Sequence, residues 1–224
     1  MQLSPDDYIW WRFGLIVVNS TILYTWGIMA LLTLGSWLVT RKLATGVHIS
    51  RVQHVLEVVV HGMDQQLREI SPHRPRGLFP FLGTLFLFIA VSNLLSIIPG
   101  FEPPTGSLST SAGLSICVFA AVPVYGIGEI GLGRYLQNYL RPTPFMLPFN
   151  IMGELSRTLA LSVRLFGNVM SSSMIGAILL IIAPLIFPIL MQLLGLLTGL
   201  VQAYIFAILA AVYISAGMEA GKPL

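Results

Sequence analysis

Apolar and polar positions along the chain form long blocks and do not alternate. The apolar runs reach about twenty residues or more, which suits membrane-crossing helices and not barrel strands. The pattern predicts a first span over about Asn19 to Thr40, stopped by Arg41 and Lys42, and a second over about Gly77 to Ile98, ended by Pro99 and Gly100. A third runs from about Ser111 to Gly131. Between the first two, HISRVQHVLEVVVHGMDQQLREI sets Val52, Leu56, Val59, Met63, Leu67 and Ile70 at helical spacing, with Arg51, Glu57, Asp64 and Arg68 off that stripe. Too charged to span, it predicts an amphipathic helix lying on the membrane or on a partner. After the third span the glycine-rich GIGEIGLG puts Glu129 near a membrane surface, and RYLQNYLRPTP, with Pro142 and Pro144, makes a short interfacial connection.

The last two apolar stretches are too long for upright spans. From Phe149 to Ile182 there is no proline, so one helix would reach about 51 Å against a hydrocarbon core of about 30 Å. Strong tilt or a break is required. Pro184 and Pro188 mark a turn, and a second long segment continues to about Met218. In it Gly195, Gly199, Ala203, Ala207, Ala211 and Ser215 recur every fourth residue, a spacing that lets helices approach closely in lipid. The predicted architecture is an all-α integral membrane protein: about five transmembrane helices plus an amphipathic interfacial helix, the last two spans forming a long tilted hairpin. It reads as a single membrane domain over 1–224, with the first span and amphipathic helix in 1–76, the middle spans in 77–140 and the hairpin in 141–224.

Composition agrees: 55% hydrophobic, 9% charged and a mean hydropathy of +0.84, where a soluble domain has about a quarter of its residues charged. The single cysteine, Cys117, reads as a small buried hydrophobe and leaves no disulfide framework. All four histidines, His48, His54, His61 and His73, fall in or beside the amphipathic helix. They lack a third ligand at a convincing spacing and read as a solvated or partner-facing surface, so no metal site is expected. The start, MQLSPDDYIWWRF, lacks the basic region of a signal peptide, so the first span is expected to be retained, with Trp10, Trp11 and Arg12 as an interfacial collar after Asp6 and Asp7. Six basic residues between Arg41 and Arg76 and two between Arg134 and Arg141, against none in the Glu102 loop or at Pro184, orient the N-terminus outside and the C-terminus in the cytoplasm.

One charge breaks the apolar pattern. Arg164 lies in the middle of a membrane-length segment, where an arginine costs roughly 2.5 to 3.5 kcal/mol and calls for a partner, water or a function. Arg157, seven residues before, and Ser171, seven after, share its face, with Asn168 one turn away. A guanidinium stays protonated, so it carries no proton but fixes a potential that attracts a passing carboxylate and repels a cation. The nearest acid, Glu154, is better placed for Arg157 at three residues, either as an ion pair or as part of an ion path. Gln202, with Thr198 one turn before it and Tyr213 on the same side, is near the midpoint of the second long segment. In an antiparallel hairpin it should meet Arg164 at similar depth. Asn168 and Gln202 suit either interhelical hydrogen bonding or a pathway. Ser171, Ser172 and Ser173 either line a wet passage or bond back to their own helix, the second being favoured. Tyr204 and Tyr213 read as packing aromatics.

The strings RPTPFMLPFNIMGELSRTLALSVRLFGN and LLGLLTGLVQAYIFAILAAVYIS resemble the signature segments of the subunit a family of F-type ATP synthases, the membrane stator facing a rotating ring of c subunits. The resemblance is close over 141–215 and looser over 77–131; the first 75 residues add only the order of span, then amphipathic helix. It implies that Arg164 is the essential stator charge, with Asn168 in the same string and Gln202, Tyr204 and Tyr213 in the last helix. It implies an ion-translocation set of Arg164, Gln202, Asn168, Glu154, Arg157, Ser173 and Tyr213 that forms two half-channels and couples proton or sodium movement to ring rotation. The chain departs from the family where many members carry a carboxylate five residues beyond the RLFGN string: here that place is Ser173, and no His or acid replaces it before Glu219. Either the inlet uses hydroxyls, water and acids elsewhere, such as Glu102, or the pathway differs in detail, as it would with a coupling ion other than a proton.

By the same resemblance the chain is non-catalytic by itself and needs no cofactor. Its partners are the c-ring, the b-subunit peripheral stalk, the remaining synthase subunits and the lipid bilayer of a bacterial plasma (inner) membrane. No phosphate loop of the Walker type is present, so no bound nucleotide is expected, and no nucleic acid. Two other classes fit the residues: a self-contained ion channel or secondary transporter with Arg164 binding an anionic substrate, and a purely structural membrane anchor.

Overall fold

A computed structural model describes residues 9–13, 16–41, 51–70, 77–98, 101–140, 145–182 and 187–219. Two short strands, β1 (Ile9–Phe13) and β2 (Ile16–Asn19), pair antiparallel and lead into α1 (Ser20–Thr40). There follow α2 (Arg51–Ile70), α3 (Leu78–Leu95), α4 (Leu108–Ile130), α5 (Leu132–Leu140), α6 (Met146–Ile182) and α7 (Phe187–Glu219). Five of these helices are long and apolar enough to cross a membrane, over Ser20–Leu38, Leu78–Leu95, Leu108–Ile130, Leu147–Ile181 and Ile189–Met218. The protein is an all-α integral membrane protein with one small strand pair ahead of its first span. That pair was not anticipated; aromatic and β-branched residues in IWWRF and IVVN favour extended backbone.

Other boundaries differ from the sequence reading for local reasons. The third span starts at Leu108, not Ser111, because Ser107 caps it: its Oγ accepts from the backbone N–H of Ser109 at 3.2 Å. The helix then continues through Pro123 and ends at Gly131, whose φ of 85° lies in the left-handed region. The expected short connection is a helix, α5, of nine residues. Cys117, expected to be buried, is exposed; an apolar run in a membrane chain does not distinguish a lipid-facing side from an inner one. His48, His73, Asp6, Asp7, Pro142, Pro144 and Pro184 lie outside the described residues.

The core is centred on α7. Phe206, Ala210 and Ile214 of α7 meet Leu78, Leu82 and Ile89 of α3, Leu161 and Leu165 of α6 and Val118 of α4 in one buried cluster. The fourth-residue stripe on α7 is the part that enters it: Ala203, Ala207, Ala211 and Ser215 are buried. At Gly199 a Cβ would meet Asn93 Cγ at 2.8 Å, and at Gly217 it would meet Val122 Cγ1 at 2.8 Å, so side chains of α3 and α4 rest against bare α7 backbone. The amphipathic helix α2 docks through Leu67, and Tyr204 of α7 donates a hydrogen bond to Gln66 Oε1. Tyr204, read as a packing aromatic, is therefore also the tie between α7 and α2. By contrast α1 is peripheral, with Trp26, Leu23, Leu34 and Leu38 exposed and Ile28 buried.

Helix α6 is continuous over 37 residues and α7 over 33, about 55 and 50 Å at 1.5 Å per residue. Neither helix is broken, and both are longer than a bilayer core of about 30 Å. Replacing Gly199 with Ala is expected to destabilise the protein by about 1 to 3 kcal/mol through overpacking. Gly83→Ala, whose Cβ would have nothing within 4 Å, should be close to neutral. Denaturation in mixed micelles of rising SDS fraction compares the two.

Candidate functional site

Helices α6 and α7 run antiparallel in a register set by two contacts. Asn168 Nδ2 donates to the Thr198 carbonyl at 3.2 Å, and a Cβ on Gly195 would meet Ser172 Cβ at 3.4 Å. One turn from the first contact on each helix, in the direction away from Ser172 and Gly195, stand Arg164 and Gln202, at equal depth as the midpoint reading expects. They differ in exposure. Arg164 is exposed on the outer face of the hairpin, whereas Gln202 is buried, 6% exposed, with no hydrogen-bond partner for its Nε2 among the described residues. An amide left unsatisfied in a low-dielectric interior is costly, and Ser215 Oγ on the same helix is likewise without a partner among the described residues.

The exposed face around Arg164 has a distinct texture. Gly153, Ser156, Ala160, Gly167 and Ser171 recur at spacings of three and four about Arg164, and all are exposed except the half-buried Gly167. The guanidinium therefore rises from a track of small residues. No hydrogen bond or ion pair holds it among the described residues. Arg157, Arg164 and Ser171, seven residues apart, are all exposed, but the Arg157 guanidinium turns to α7. Asn168, expected alongside them, sits at the edge of the exposed face and is turned to α7.

Away from this face, α6, α7, the C-terminal end of α3 and the loop after it enclose a cavity of about 380 Å³. Its walls include Asn93, Glu102, Asn168, Ser172, Ser173 and Gln192. Ser173 Oγ bonds back to the Val169 carbonyl at 3.1 Å, the favoured reading of the serine run, and still lines the cavity. Two side chains singled out by nothing in the sequence reading shape it. Asn93 Nδ2 donates to the Gly199 carbonyl at 3.1 Å, and Gln192 Nε2 donates to the carbonyls of Ser96 and Ile97 at 3.1 and 3.2 Å. A lone asparagine inside an apolar span was the available signal for the first.

Near the far ends of the two helices, Glu154, Arg157, Thr158 and Tyr213 line a recess of about 20 Å³ against α4. The Arg157 guanidinium stands over the Tyr213 ring, 5.6 Å from its centroid. So Tyr213 is the stacking partner of Arg157 and belongs to the end of the hairpin away from the cavity. The seven expected site residues thus fall into three groups: Asn168 and Ser173 on the cavity, Arg164 and Gln202 at the middle, and Glu154, Arg157 and Tyr213 at the recess.

The chain resembles known proteins over most of its length. The profile of the family described as ATP synthase A chain matches residues 22–215. An ATP synthase subunit a of Nitrosospira multiformis is 58% identical over 178 residues, covering 80% of this chain and 71% of its own. Another, from Albidiferax ferrireducens, is 58% identical over 175 residues, 78% of this chain and 76% of its own. A protein named ATP synthase subunit a 1 in Chlorobaculum parvum is 59% identical over 175 residues, 78% and 77%.

The stacked pair is expected to be worth about 0.5 to 2 kcal/mol. In a double-mutant cycle of Arg157→Gln and Tyr213→Leu, read by denaturation in mixed micelles, the two losses should fail to add by that amount.

Proposed function

The chain belongs to the ATP synthase A chain family and is a stator subunit of the membrane sector of that synthase, and from this premise we propose that Arg164 is its fixed coupling charge. Facing the small-residue track, a ring of c subunits brings one carboxylate at a time past the guanidinium. Near Arg164 the carboxylate is held ionised, because a permanent positive charge in low dielectric favours the anion. Away from it the carboxylate takes up an ion and turns through lipid neutral.

Two separate water paths complete the cycle. The cavity reached past Glu102, Ser172 and Ser173 is the outer half-channel, ending at Asn168, one turn from Arg164. The recess of Glu154, Arg157 and Tyr213 is the start of the inner one. Arg164 lies between them and blocks a cation from passing straight from one to the other. Gln202, with its unsatisfied amide, orients the arginine or the arriving carboxylate. Each charge crossing then yields roughly 2.3 kcal/mol per 100 mV, so several crossings serve one ATP. The chain acts without catalysing a reaction itself, as one membrane domain in a bacterial plasma membrane, N-terminus outside and C-terminus cytoplasmic, and works with the c-ring, the peripheral stalk and the other synthase subunits.

The observation that carries this reading is an arginine exposed at the middle of a 37-residue apolar helix, unpaired among the described residues and framed by small side chains. In the assembled complex, Arg164→Ala is expected to abolish ATP-driven ion pumping, and Arg164→Lys to leave little, since the ammonium lacks the fork of a guanidinium. Pumping that persists in Arg164→Ala, with subunit content unchanged, overturns the proposal.

A further inference from the structure

The residues that α6 gives to the lining of the outer cavity, Asn168, Val169, Ser172, Ser173, Gly176 and Leu180, include no acid, and the cavity has an acid from elsewhere. Glu102, in the loop after α3, is exposed and is the one acidic side chain among the described lining residues, which include no basic one. Beside it the C-terminal end of α3 is held in a fixed form. The backbone N–H groups of Ser96, Ile97 and Ile98 close onto the carbonyls of Asn93, Leu94 and Leu95 at 3.2, 3.3 and 3.0 Å. The next two carbonyls, of Ser96 and Ile97, accept from Gln192 across the cavity mouth. That end of the helix carries the negative pole of the macrodipole, about half an elementary charge, and Ser96, Glu102 and Gln192 all line the cavity.

Building on the half-channel reading above, we infer that this mouth is a cation vestibule in which Glu102, set against the fixed C-terminal end of α3, selects the sign of the entering ion. The ligand class is a small monovalent cation, hydronium or an alkali ion. A carboxylate and a helix C-terminus at the rim of a cavity set among apolar helices and free of basic side chains among its described lining residues focus a negative potential into it, raising the local cation concentration and rejecting anions. The ion is not held there. Glu102 is exposed, so it concentrates ions at the mouth without trapping them.

The test uses the complete synthase in liposomes, with ATP synthesis driven by an imposed potential while the outer cation is titrated, protons at fixed sodium and sodium at fixed pH. In Glu102→Gln the half-saturating concentration of the coupling ion should rise roughly tenfold at low ionic strength, with the maximal rate kept. The shift should shrink in high concentrations of a non-transported salt. A second variant, Glu102→Cys in a Cys117→Ser background, is modified after assembly with methanethiosulfonates. The sulfonate reagent should restore the low half-saturating value and the trimethylammonium reagent should raise it further. Equal effects of both reagents, or an unchanged half-saturating concentration in Glu102→Gln, overturn the inference. Ser172→Cys in the same background separates the two readings: labelling of this position from outside keeps the half-channel even if Glu102 proves silent. No labelling removes the half-channel reading and this inference with it.

Discussion

Two asparagine side chains grip neighbouring carbonyls of α7, Asn93 from α3 on Gly199 and Asn168 from α6 on Thr198. In lipid there is little hydrophobic force to hold helix against helix, so register depends on close backbone approach and on a few interhelical hydrogen bonds. Here both act at one place. Gly199 has no side chain, which lets Asn93 reach the backbone, and the same two bonds fix how far α7 slides against α3 and α6. The depth of Gln202, the placing of Arg164 and the shape of the cavity beside them all follow from that grip.

The hairpin is thereby divided into two sides with opposite requirements. Toward α3 and α4, α7 is pressed into a tight core by its alanines, and α6 contributes Leu161 and Leu165. On the other side α6 is left open around Arg164, with Leu155, Leu159 and Val163 exposed next to the small-residue track. A globular protein would not tolerate so much exposed apolar surface. In a membrane it needs only lipid or another helix. The charge of Arg164 can be kept there because everything that fixes its backbone lies on the buried side.

Most of the framework was legible from the sequence. Hydrophobic blocks gave the five spans, the proline-free stretch gave an overlong α6, and the fourth-residue stripe identified the buried side of α7. Arg164 was conspicuous because charge inside an apolar run has few uses. The misses share a cause: side-chain direction is not written in spacing once one side of a helix faces lipid. Cys117 was given the wrong surroundings for that reason, whereas Asn168 makes the interhelical hydrogen bond that was one of its two readings. Tyr204 and Gln66, and Gln192 and the end of α3, pair residues 138 and 96 or 95 apart in sequence, and no local pattern announces such partners. The capped start of α4 and the helix α5 were boundary errors, set by the hydrogen bonds of Ser107 and the backbone of Gly131.

If α6 faces a ring of c subunits as proposed, the track of Gly153, Ser156, Ala160, Gly167 and Ser171 has a mechanical meaning. Short side chains have few rotamers to lose and no knobs to interlock, so a cylinder rolling past them finds no ratchet teeth and little steric drag. What resists or releases its turning is then almost wholly electrostatic. On the proposed role, such a bearing is smooth by shape and is indexed by a single guanidinium.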